Sequence, residues 1–196
     1  MKFTKTLLAT ALVLSAVGAN AAAINGPDSS VLSIPESYSW KFESVAADPA
    51  ATLSFVLTGF NTVDGFNDYA DVFQLSVNGT AIGWGAFNLG GGGTSAWFGT
   101  GTAVNSNGSS SAIGRNGGSV TFSGVAIGLK AGSNTINFGY TPVGALNGVS
   151  GQSMNDESWQ VSKAIVTAVP EPETYAMLLA GLGVMGAIAR RRKQAA

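Results

Sequence analysis

Residues 71–86 read DVFQLSVNGTAIGWGA, and this stretch decides the fold. Phe73, Leu75 and Val77 recur with a period of two, which puts them on one face of an extended strand. Asn78-Gly79 separates this run from the next, and both residues tolerate the positive φ that a two-residue hairpin turn demands. The same alternation recurs along the chain. In SYSWKFES (37–44) Tyr38, Trp40 and Phe42 share a face, and in 51–57 the set is Leu53, Phe55 and Leu57. Val120 with Phe122, then Ile136, Phe138 and Tyr140, and a last run from Trp159 to Thr167 complete the series. Between residues 24 and 169 no helical stripe interrupts it. Residues 22–169 hold 23 glycines, about 16% where roughly 7% is usual, and they punctuate the short apolar runs. Seven or eight strands in about 148 residues predict an all-β fold, a single antiparallel β-sandwich or jelly roll. A domain of that size buries roughly 70% of its extended-chain surface and needs no cross-link. Two glycine-rich stretches, NLGGGGT (88–94) and NSNGSSSAIGRNGGS (105–119), are expected as loops on the sandwich. Neither leads into Gly-Lys-Ser/Thr or a helical pattern, so neither is a phosphate cradle. No fixed-period repeat is visible, which argues against a solenoid of identical rungs.

The 196 residues carry 10 Lys and Arg against 11 Asp and Glu, but the charges are unevenly placed. Six of the basic residues lie at the ends: Lys2, Lys5, Arg190, Arg191, Arg192 and Lys193. Residues 22–169 hold Lys41, Arg115, Lys130 and Lys163 against nine carboxylates, a net charge of −5. Such a domain does not bind nucleic acid, because Lys and Arg supply that affinity. The chain has no His and no Cys. That removes disulfides, thiol nucleophiles, serine triads built on His and nearly all zinc sites.

The N-terminus reads MKFTK, then TLLATALVLSAVG, then Ala19-Asn20-Ala21. A basic start, a short apolar run and an A-x-A pattern predict a signal peptide over residues 1–21, read by the Sec translocon and cut by signal peptidase, which recognises Ala19 and Ala21, after Ala21 or, as the second choice, after Ala23. The C-terminus, 170–196, carries three unlike elements in order: Pro170-Glu171-Pro172, an uncharged stretch from Tyr175 to Ala189, and Arg190, Arg191, Arg192 and Lys193. The prolines are expected to hold 170–172 extended and out of any helix, open to a peptidase. The 15 residues 175–189 make a single helix of about 22 Å. That is short of the roughly 30 Å hydrocarbon core, so the expected transmembrane helix is a weak, temporary anchor. The basic tail 190–193 then acts as a membrane stop that stays cytoplasmic.

The C-terminal stretch VPEPETYAMLLAGLGVMGAIARRRK resembles the PEP-CTERM sorting signal of Gram-negative bacteria, a segment also called the ice-binding protein C-terminal domain. The resemblance covers about 25 residues and implies recognition by an exosortase. This membrane partner would cut near the motif and release the ectodomain from an inner-membrane intermediate to the cell surface or an exopolysaccharide matrix. It implies no ice binding: Thr100-Gly101-Thr102 is a single T-x-T, not a repeated array. A looser resemblance joins LKAGSNTINFGYTP (129–142) and NDESWQVSKAIVTAV (155–169) to the closing strands of galactose-binding-like jelly rolls, many of which bind carbohydrate.

Within 22–169 the densest acidic patch is VDGFNDYAD (63–71). Asp64, Asp68 and Asp71 offer hard oxygen ligands suited to Ca²⁺, although their spacing is not an EF-hand loop. Asn155, Asp156 and Glu157 form a second set that joins them only if the loops meet in space. Trp84, Trp97, Trp159, Tyr69 and Tyr140 are aromatic faces on which a sugar ring could stack. Packing in the core is the expectation for each of them, as for Trp40, and Trp84 and Trp97, beside glycines, are the two expected at the surface if any are. The expectation is a non-catalytic structural or adhesive protein of the biofilm matrix that needs no cofactor. The first alternative is a carbohydrate-binding module, with or without Ca²⁺, and the second a carboxylate-based glycoside hydrolase, for which no Glu has a distinctive setting.

Overall fold

A computed structural model describes residues 23–109, 116–141, 157–168 and 172–194. The chain divides into two compact units, one spanning Ala23–Thr167 and one made of the terminal segments.

The first unit is all-β and antiparallel in its two large sheets. One sheet runs in the order β1 (Ala23–Asn25), β13 (Ser158–Thr167), β4 (Thr52–Phe60), β11 (Asn116–Ala126), β10 (Thr102–Ser109), with β2 (Leu32–Ser33) also paired to β13. The other runs β3 (Ser37–Ser44), β12 (Gly132–Thr141), β6 (Val72–Val77), β7 (Thr80–Ala86), β9 (Ala96–Phe98). A parallel pair, β5 (Val63–Asp64) and β8 (Gly90–Gly92), lies beside them. Eight of these strands have six or more residues.

Alternation explains the two-layer arrangement. Leu53, Phe55 and Leu57 of β4 are buried while their neighbours are half-exposed, and in the facing sheet Phe73, Leu75 and Val77 of β6 are buried with Gln74 and Ser76 between them half-exposed. The two inner faces interlock through aromatic rings. Phe55 stacks on Phe122 of its own sheet at 4.3 Å and meets Phe138 of the other edge-on at 5.1 Å. Trp159 is fully buried and meets Phe73 and Tyr140 edge-on. The β6–β7 turn is Asn78 (φ 52°) and Gly79 (φ 81°), both left-handed, joining two strands whose end residues Val77 and Thr80 are paired. This is the geometry a two-residue hairpin with right-handed twist requires.

The glycine-rich stretches depart from the expectation of loops. Thr102–Ser109 and Asn116–Ala126 pair as a long hairpin, so most of 105–119 is strand, and Gly90–Gly92 pairs with Val63–Asp64. Glycine and serine carry no side-chain alternation to read, yet their backbone groups still need partners.

In the terminal unit, α1 spans Pro172–Gln194. Pro172 was expected outside any helix, but it opens α1, a position where the missing N–H costs nothing and the fixed φ is already helical. Leu179, Leu182 and Val184 are exposed. Within α1 only 16 uncharged residues separate Glu173 from Arg190, and among the described residues no helix is long and apolar enough to cross a membrane.

Candidate functional site

Two places on the sandwich gather chemistry. The first is a cluster of carboxylates. Asp64 ends β5, Asp71 immediately precedes β6 and Glu157 immediately precedes β13. One carboxylate oxygen from each lies within 4.8 Å of the others. Asp71 and Glu157 are buried, at 2% and 4% exposure, and Asp64 is half-buried. The loop between Asp64 and Asp71 closes on itself: the Asp64 N–H donates to Asp71 Oδ2 at 2.7 Å, and the Asp71 N–H to the Asp64 carbonyl at 3.2 Å. Asn67 Nδ2 donates to Asp64 Oδ1 at 2.7 Å.

The polyglycine strand β8 forms the next wall. The Gly65 N–H donates to the Gly92 carbonyl at 2.9 Å, and Asn88 Oδ1 accepts from the Gly90 and Gly92 amides. A Cβ on Gly91 would strike the Thr62 carbonyl oxygen and lie 2.6 Å from Asp64 Cγ, so only glycine lets this backbone approach the carboxylate. Tyr140, on β12, has a buried hydroxyl that makes no hydrogen bond. Burial first, then the charges of Asp71 and Glu157, push its phenol well above the usual 10.0.

Of the acidic residues singled out from the sequence, Asp64 and Asp71 meet. Asp68 is exposed and is not among the three carboxylates that converge. Glu157 takes part instead, and Asn155 and Asp156 lie outside the described residues. Glu157 is distant along the chain and reaches Asp71 only through the pairing of β13 in one sheet and β6 in the other.

The second place is the outer face of the β3-β12-β6-β7 sheet, which holds a recess of about 360 Å³ lined by Ser37, Gln74, Ser76, Trp84, Asn137 and Gly139. At its end Trp84 stacks on Phe98, centroids 4.5 Å apart, and Phe66 meets both edge-on at 6.1 and 6.0 Å. Phe98 is 52% exposed and Tyr69 51%. Trp97 points the other way. Trp84 pairs with Phe98 and Gly85 with Trp97, so pleating sends Trp97 to the core side. There it packs edge-on against Phe122 at 5.0 Å, with its Nε1–H donated to the Thr100 carbonyl. Trp159 and Tyr140 are likewise core residues, as is Trp40. Phe66 and Phe98 complete the outer aromatic group. Sequence alternation alone does not single them out, because β9 is three residues long.

The processing residues lie at the ends. Ala19, Ala21, Pro170 and Glu171 are outside the described residues, Pro172 starts α1, and Arg190, Arg191, Arg192 and Lys193 fall in its last turns. Residues 168–193 match the family model described as the PEP-CTERM protein-sorting motif. No curated protein and no solved structure matches the chain. The motif marks an exosortase-sorted surface protein, exported and processed at a membrane.

Proposed function

We propose that the mature protein is a non-catalytic structural or adhesive component of the exopolysaccharide matrix, delivered by its C-terminal segment and then separated from it. The observation that carries this reading is the sorting motif at 168–193, coincident with a helix whose Leu179, Leu182 and Val184 are bare. A helix apolar on several faces needs lipid or protein around it. With about 22 Å of uncharged length it thins the bilayer locally or relies on Arg190 reaching the headgroups, a marginal anchor suited to an intermediate. The signal peptide at 1–21 brings the chain to the Sec translocon and signal peptidase, and the exosortase acts near Pro170-Glu171-Pro172. A non-catalytic sandwich accords with the burial of Asp71 and Glu157, which a polymeric substrate does not reach. Replacing Pro170 and Pro172 together by Ala is expected to leave full-length protein in the inner membrane. Normal release of that variant, or a mature C-terminus that mass spectrometry finds to extend through residue 196, refutes the reading.

A second reading, carbohydrate binding, is favoured by the recess on the outer sheet face. Its small polar side chains, ending at the Trp84–Phe98 stack, offer hydrogen-bonding groups beside an apolar platform, the combination a sugar ring requires. Titration with a panel of glycans tests it. Saturable binding lost at least tenfold in Trp84→Ala supports it, and absence of binding across the panel leaves the structural role.

A further inference from the structure

We infer that Asp64, Asp71 and Glu157 form a calcium site that ties the start of β13 to the loop entering β6, across the two sheets. The donor set is all hard oxygen. Oxygens bound to one Ca²⁺ at about 2.3–2.6 Å are at most about 5 Å apart, and each pair of the three carboxylate oxygens, all within 4.8 Å of one another, falls inside that limit, so a small inward shift brings all three onto one ion. Around Mg²⁺, at about 2.0–2.1 Å, the limit is near 4.2 Å, and the ion demands an octahedron that three carboxylates from three elements do not provide unaided.

A carboxylate cluster alone is no ligand site, and the second observation is Tyr140. Its hydroxyl lies in the interior, 4% exposed, without a hydrogen-bond partner and within electrostatic reach of the two buried carboxylates. A phenolic oxygen in that position offers its lone pairs as a neutral addition to the oxygen set, directly or through one water. The polyglycine strand explains itself in the same terms, since without a side chain at Gly91 its backbone packs close against the Asp64 carboxylate. The consequence is structural. An ion held by residues from β5, from the entry to β6 and from the entry to β13 links segments far apart in sequence, so its binding is coupled to closure of the sandwich. This assignment stands on the sandwich alone and does not depend on the matrix or glycan readings.

The test uses the full chain in detergent, stripped with chelator and titrated with Tb³⁺ while Tyr and Trp are excited, since Tyr140 and Trp159 lie beside the site with centroids 5.4 Å apart. The expected result is saturable sensitised emission, displaced by Ca²⁺ at least tenfold more effectively than by Mg²⁺, with a Ca²⁺-dependent rise in melting temperature. Asp71→Asn and Glu157→Gln should each weaken binding at least tenfold and abolish that rise, and Tyr140→Phe should weaken binding several-fold. Asp68→Asn, on the exposed part of the loop, should change neither. If Asp71→Asn does not fold, Asp64→Asn at the half-buried position serves in its place. Absence of saturable emission and of a Ca²⁺ shift in the unaltered chain overturns the inference, as does equal loss in Asp68→Asn.

Discussion

Asn134 and Tyr140 lie on the same strand and bury their polar atoms in opposite ways. Asn134 is fully buried and fully used: its Oδ1 accepts from the Lys130 N–H and from Asn78 Nδ2, and its Nδ2 donates to the Lys130 and Gly132 carbonyls. Asn134→Ala leaves these groups without their partner, and denaturant unfolding should show a loss of about 1–3 kcal/mol. Tyr140 has no such bonds, so Tyr140→Phe in chelator should leave the unfolding free energy unchanged or slightly raised. The two proteins should differ at high pH. Because the folded phenol is held above its usual 10.0, the contribution is constant below pH 10. Above that the unfolded chain ionises first, and stability falls as pH rises toward the folded value. Tyr140→Phe should remove that alkaline decline, as pH-dependent melts would show. Sequence makes Asn78-Gly79 legible because positive φ restricts the residue types at a hairpin turn. It does not reveal Asn134, which looks like one more turn residue in Gly-Ser-Asn until the β6–β7 turn is laid against it.

At the scale of elements, both neighbours of β4 carry a bulge at the same level, between Phe122 and Val125 on β11 and between Ser162 and Ile165 on β13. The first uses Gly124 at φ 65°, whereas the second forces Lys163 to φ 53°, with its N–H donated to Asp28 Oδ1. Lys163→Gly should therefore stabilise by up to about 1 kcal/mol, a rise in denaturation midpoint with unchanged slope. Gly91→Ala should do the reverse: its methyl displaces β8 from Thr62 and Asp64, lowering the melting temperature and weakening Tb³⁺ binding together. Long strands were readable from alternation because one face is core and the other is not. The glycine strands were not, since a residue without a side chain leaves no pattern even where its backbone is paired. The opposite facing of Trp84 and Trp97 depended on a register that no single strand discloses.

For the whole molecule, the two sheets are held by aromatic contact across the interior, and Phe55 is central to it, touching Phe73, Phe122 and Phe138. Phe55→Ala should cost about 3–5 kcal/mol, enough to remove a large part of a domain's stability, measured by equilibrium unfolding. The all-β class was evident because so many short runs alternate. The sorting segment was evident because its parts follow one another in a fixed order within one stretch of chain. The meeting of Asp71 with Glu157 belongs to neither kind of signal, being a product of tertiary closure. The strand that leads to residue 168 is β13, and it is no edge: β1 and β2 flank it on one side and β4 on the other. Any pull on the chain beyond Thr167 therefore enters the domain along an interior strand. That strand must shear past ladders on both flanks at once, so a pull there meets more resistance than a pull on an edge strand would.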